Sequence, residues 1–183
     1  MEKSKVYFTK EITPESVVKM YEALGISLPG KVAIKLHSGE KGNQNYIRPE
    51  FVRPIVEKLN ATVVECNAAY GGARNTTEKH KKLIEEHHWT KYFDVDIMDE
   101  EGPDVELDIP NGKVLKKDFV GKHINNYDSM LVLSHFEGVS ASGSCISSRV
   151  NLIHIIRSLE VCFAFRTLHH LQDRDSFLQV SRV

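Results

Sequence analysis

Three short stretches hold the side chains with chemical potential. The longest, Cys66-Asn67-Ala68-Ala69-Tyr70-Gly71-Gly72-Ala73-Arg74-Asn75-Thr76-Thr77-Glu78, sets a glycine pair and a guanidinium ahead of a helical pattern. Gly71, Gly72 and the amides near Thr76 suit a small anion, because the free N–H groups of a first helical turn favour negative charge. Lys35 or Arg74 would add cationic charge, and Ser38, Asn67, Tyr70 and Ser134 would line the same place. The other two stretches, Lys35-Leu36-His37-Ser38 and Leu133-Ser134-His135, supply His37 and His135 as candidates for proton transfer. Cys66 is a conceivable nucleophile, but nothing signals a lowered thiol pKa, so a buried structural cysteine is the simpler reading. The loop is neither GxGxxG nor GxxxxGK[ST], and implies no nucleotide. Its pattern also describes a plain βα connection in which the glycine pair eases the turn, Asn75 is the N-cap and Glu78 completes a capping box.

These stretches need elements to position them. Residues 31–36, 62–66 and 130–133 are short apolar runs that read as strands, and 62–66 is rich in β-branched residues. Between them, Thr13-Pro14 opens a helix ending at Gly25, and Pro49 opens a second whose Phe51, Val52, Ile55, Val56 and Leu59 form an apolar face. A third runs from Thr76 to about His88. The expected fold is therefore α/β, a mostly parallel sheet of βαβ units with right-handed crossovers. Its strand tips would gather His37 and Ser38, Cys66 and Asn67, and Ser134 and His135 at one edge, where open α/β sheets bind ligands. Val6-Tyr7-Phe8 reads as an edge strand. Residues 105–109 and 114–115, joined by Asn111-Gly112, read as a β-hairpin excursion with Glu106 and Asp108 on its wet face. His80 and His87 border the third helix's apolar stripe, and no third ligand stands at a metal-binding spacing.

Composition narrows the class. The 183 residues fit one ordinary domain, with hydrophobic and charged fractions of 41% and 27% near the globular average. A net charge of -1 gives no reason to expect nucleic acid or an anionic membrane. Without a signal-peptide pattern or a long apolar run, and with the isolated thiols Cys66, Cys145 and Cys162, a cytoplasmic protein is expected.

Several of these motifs together resemble one family. Residues 31–35 with Ser38-Gly39-Glu40, residues 64–67 with Tyr70-Gly71-Gly72, and Thr77-Glu78-x-His80-Lys81 are similar to the domain-of-unknown-function 362 family. So are residues 94–99, 119–122 and Leu133-Ser134-His135-Phe136. The resemblance covers roughly residues 1–137 and implies an α/β domain, with no established reaction. Relatives often carry 4Fe–4S clusters in a C-terminal module. Here the later C-x₂-C-x₂-C-x₃-C runs are absent, and three cysteines cannot supply a four-cysteine site, so no cofactor is expected in this chain.

After Phe136 the family's Lys-Gly-His gives way to Glu137-Gly138-Val139, and the composition shifts. All 16 lysines lie at or before Lys122, whereas residues 138–183 hold five arginines and no lysine. The expected organisation is an α/β domain over 1–137 and a divergent tail over 138–183, either translated out of the ancestral frame or genuinely diverged, and irregular or loosely helical. Leu152, Ile153, Ile156, Leu159 and Phe163 suit one helix face, but other apolar residues surround it, so the tail would need a protein partner or burial. The expected function is a small polar or anionic ligand-binding domain, redox- or enzyme-associated and incomplete in this chain. The alternatives are a protein-interaction domain or a non-functional truncated product.

Overall fold

The computed structural model describes residues 6–109, 113–136, 160–166 and 177–182. Its main sheet has seven strands: β1 (Val6–Thr9), β2 (Val32–Lys35), β3 (Thr62–Glu65), β4 (Val95–Ile97), β7 (Ser129–Phe136), β8 (Glu160–Arg166) and β9 (Phe177–Arg182). They lie in the order β1-β9-β8-β7-β2-β3-β4, so β1 is at an edge as expected. The stretch β7-β2-β3-β4 is parallel throughout, with Ile34 opposite Val63 on one side and Leu131 on the other. β8 runs parallel to β7, while β9 is antiparallel to both β8 and β1.

Helix α1 (Pro14–Ala23) begins at Thr13, whose side chain accepts from the Ser16 amide while Ser16 Oγ accepts from the Thr13 amide. This reciprocal cap satisfies two donors that a helix start leaves open. Helix α2 (Pro49–Leu59) ends where Asn60 takes the left-handed conformation, φ 46°. Helix α3 (Thr77–Glu86) is followed by a 3₁₀ turn at Trp89–Lys91. All three helices cover one face of the sheet: Val17 and Tyr21, Val52 and Ile55, and Ile84 pack against Ile34, Val63 and Leu131. Trp89 is fully buried there and donates its indole N–H to the Ser38 carbonyl at 3.1 Å.

β2, β3 and β4 step outward in one direction, and β7 then returns to the other side of β2. The β4–β7 connection accordingly covers the opposite face. Its 3₁₀ segment Lys122–Asn126 brings Ile124, with Tyr127, onto Ala33, Val64, Met98, Met130 and Val132. Gly121 permits this: a Cβ there would stand 2.1 Å from the Met98 carbonyl oxygen.

The same connection contains a separate hairpin of β5 (Val105–Asp108) and β6 (Lys117–Val120). The second arm is therefore 117–120, not 114–115. Val114 and Leu115 lack the alternation that would bury one of them, and both are exposed. Glu106 and Asp108 are on the wet face, and the predicted Asn-Gly turn lies outside the described residues. In the tail, 160–166 and 177–182 are strands rather than helix. A run apolar all round reads equally as a buried strand, and periodicity alone does not separate the two. The proposed helical face at 152–159 lies outside the described residues. No helix among those described is long and apolar enough to cross a membrane.

Candidate functional site

Glu65 ends β3 on the face that carries Val63, and it is 1% exposed. A carboxylate taken this far from water must be matched. Lys35, at the end of β2, places Nζ 2.8 Å from Oε2, and the Ser38 amide donates to Oε1 at 2.6 Å. Arg74 Nη1 reaches Oε1 at 3.4 Å. Burial alone would raise the pKa of Glu65; the pull of Lys35, then of His37 and Arg74, overrides it and lowers the value to about 2. The Lys35 ammonium also donates to the Leu36 carbonyl at 2.7 Å, so it is turned inward rather than toward a ligand.

Arg74 links this buried charge to the surface. Its Nε and Nη2 donate to Glu40 Oε1 at 2.9 and 2.7 Å, and the Tyr70 hydroxyl donates to the same oxygen. Burial would raise the Glu40 pKa, but the hydrogen bonds from Arg74 and Tyr70 hold it below the ordinary carboxylate value. The loop after β2 and the loop after β3 are thereby tied together. His37 Nε2 is 3.7 Å from the same Glu40 oxygen, and His37 Nδ1 accepts the Gly39 amide at 3.0 Å. Burial depresses the His37 pKa, which favours the neutral ring. With Nδ1 accepting, the proton of that neutral ring is on Nε2. His37 in this arrangement is a donor toward the outside, not a base.

A second chain of contacts runs beneath. His80 Nδ1 is 3.2 Å from Asn67 Oδ1, an acceptor, and His80 Nε2 is 3.4 Å from Ser38 Oγ. The Asn67 amide group donates to Thr77 Oγ1 at 2.9 Å, which fixes its orientation. Serine, histidine and asparagine in this sequence have the connectivity of a nucleophile, base and orienter. Yet Ser38 and His80 are fully buried, which withholds the hydroxyl from any substrate, and the chain's work here is to bind two loops to α3. Burial also depresses the His80 pKa. Cys66, next to Glu65, has its thiol pushed up by burial to about 11, so it is protonated at neutral pH and suits the structural reading.

Outside this network lies a cleft of about 300 Å³ between the same two loops and α3. Lys41 comes from the first loop, Gly72 and Ala73 from the second, and Lys79, Lys82 and Glu86 from the helix, with Leu83 at its base. Lys79 Nζ donates to Asn75 Oδ1 at 3.2 Å, whereas Lys41 and Lys82 have no ion-pair partner among the described residues.

Of the residues singled out in the sequence, Lys35, His37, Ser38, Tyr70 and Arg74 all gather around Glu40 and Glu65, and Asn67 joins them through His80. Ser134 and His135 are in the last part of parallel β7, beyond the Lys35–Val132 register position, and so at the same sheet edge. Two expectations need correction. The N-cap of α3 is Thr76, which accepts the Lys79 amide at 3.5 Å, and not Asn75, whose oxygen instead receives the Lys79 ammonium. The glycine pair is not required by the turn: neither Gly71 nor Gly72 has a positive φ, and a Cβ on either meets nothing within 4 Å.

Glu65, Glu40 and His80 were the residues missed. A charge on a strand apolar on both faces must be paired, and that was the available signal for Glu65. His80 stands three and four residues before Leu83 and Ile84, on the core side of α3. Among the described residues, no group of three or more His, Cys, Asp or Glu side chains is arranged to hold a metal ion. A four-cysteine cluster does not fit a chain with three cysteines.

The family model for "Domain of unknown function (DUF362)" matches residues 32–160, from the first residue of β2 to the first of β8. The match continues past residue 137. Comparison with curated proteins found no match, and neither did comparison with solved structures.

Proposed function

The chain belongs to the DUF362 family, and from that premise we propose that its domain binds a small, multiply charged anion at the strand-end edge. The observation that carries this reading is the lysine cleft. Three lysines and one glutamate, Glu86, line a space of about 300 Å³, which leaves an excess of positive charge around it. Lys79 and Lys82 are also three residues apart on α3, where like charges repel and an anion between them relieves the repulsion. The cleft lies between loops that leave the C-terminal ends of parallel strands, the usual place for ligands in open α/β sheets. Its size is at the lower end for small-molecule sites. A phosphate-bearing group or a small polycarboxylate matches that charge and volume. Buried Glu65, which takes Lys35, the Ser38 amide of the first loop and Arg74 of the second, is the scaffold that holds the cleft's two loops at a fixed separation.

Thermal unfolding in phosphate, pyrophosphate or citrate, against sodium chloride at matched ionic strength, tests the reading. An anion at about 100 times its Kd stabilises by roughly 2.7 kcal/mol, a melting rise of roughly 5–10 °C for a chain of this size. That rise should be lost in Lys82→Glu. Equal melting temperatures in all four salts would contradict it.

A second reading, a protein-interaction domain, draws on the hairpin, where Val114 is 89% exposed and Leu115 and Phe119 are also exposed. Size-exclusion chromatography with light scattering on Phe119→Asp examines the simplest form of it, self-association. An assembly that becomes monomeric in the variant favours this reading; identical masses count against it.

A further inference from the structure

We propose that Arg74, Tyr70 and His37 form a carboxylate-binding cradle that the chain's own Glu40 fills, and that a small carboxylate takes its place when Glu40 withdraws. Three donors hydrogen-bond a single oxygen, and a fourth polar group stands just beyond hydrogen-bond distance. Arg74 Nε and Nη2 are 2.9 and 2.7 Å from Glu40 Oε1, the Tyr70 hydroxyl donates to it, and the His37 Nε2–H stands at 3.7 Å. A guanidinium presenting two parallel N–H groups is matched to a carboxylate in particular.

The cradle does not depend on Glu40 for its shape. Arg74 is held from behind by Glu65 through Nη1, and its own carbonyl accepts the Ala68 amide at 2.8 Å. His37 is oriented by the Gly39 amide. Glu40, by contrast, is about a third exposed, and Gly42 just after it adopts φ +81° in open space. Tyr70, 57% exposed, forms the open side through which a ligand enters. The occupant is a carboxylate of formate or acetate size, or the carboxyl end of a larger molecule. This site shares the strand-end edge with the lysine cleft and rests on the anion-binding reading only for that placement.

Glu40→Ala empties the cradle, and formate or acetate is the probe. The variant should bind formate saturably in calorimetry, with an affinity at least tenfold above that of the wild-type protein, in which Glu40 competes. Adding Tyr70→Phe should weaken that binding several-fold by removing one donor. Glu40→Gln keeps the side chain's shape without its charge, and should fall between wild type and Glu40→Ala; it carries the test alone if the alanine variant does not fold. The proposal is overturned if neither variant binds formate more tightly than the wild type does, or if chloride at equal ionic strength reproduces the effect. Because Lys82→Glu leaves the cradle intact, formate binding to Glu40→Ala/Lys82→Glu separates a failure of the cradle from a failure of the cleft.

Discussion

Glu65 stays ionised in a place that water does not reach, and Lys35 and Arg74 are arranged around that charge. Glu65→Gln would leave two buried cations with one neutralising partner fewer. Loss of one member of a buried pair costs about 3–5 kcal/mol, which urea unfolding should register. Lowered pKa values also set the sign of the pH dependence. His37 and His80 are depressed from 6.5, so the unfolded chain takes up their protons first, and stability should fall as pH drops through 6.5. Glu40 and Glu65 are depressed from 4.5, and their contribution, complete above that value, should be lost below it, for Glu65 down to about 2. Unfolding curves from pH 8 to pH 3 should therefore show an early decline and then a steeper one. Cys66, with its thiol pushed up to about 11, should resist iodoacetamide at pH 8 in the folded protein and react once the chain is unfolded, as read by peptide mass spectrometry. His37, Arg74 and Tyr70 were legible as polar groups beside strand ends. Their partners were not, because Glu40 and Glu65 meet Arg74 across 34 and 9 residues, and spacing records no such contact.

At the scale of elements, patterns with a local cause were the most readable. The Thr13 cap, the Pro49 start and the left-handed Asn60 stop each follow from one or two residues. The start of α3 was ambiguous because Asn75, Thr76 and Thr77 can each cap, and Asn75 is drawn off by Lys79. The β6 arm was misplaced because the chain between the arms is longer than a two-residue turn. Glycines divide by surroundings that sequence does not record. Gly121→Ala drives a Cβ into the Met98 carbonyl and should cost about 1–3 kcal/mol or more. Gly72→Ala meets open space and should leave the melting temperature within about 1–2 °C, consistent with surface substitutions near ±0.5 kcal/mol. Thermal unfolding of the two variants side by side checks the contrast.

For the molecule as a whole, the alternation of apolar strands and amphipathic helices was enough to read a parallel α/β sheet. What it did not contain was the reversal of strand order at β2, which sends the β4–β7 connection to the other face and places the β2 and β7 ends side by side. The lysine cleft was equally hidden, since Lys41 and Lys82 belong to different elements and each looks like an ordinary surface charge. The shift from lysine to arginine after residue 137 leads to a genetic prediction. If the tail is out of frame, another reading frame downstream of codon 137 encodes the Lys-Gly-His segment; the family match through residue 160 counts against that origin, and the segment's absence from all frames defeats it. Amide chemical shifts during a pyrophosphate titration test most directly whether the strand-end edge binds an anion in the lysine cleft. Saturable changes should concentrate on Lys41, Gly72, Ala73, Lys79 and Lys82. Changes that never saturate, or that fall on β5 and β6 and leave those five amides still, would contradict it.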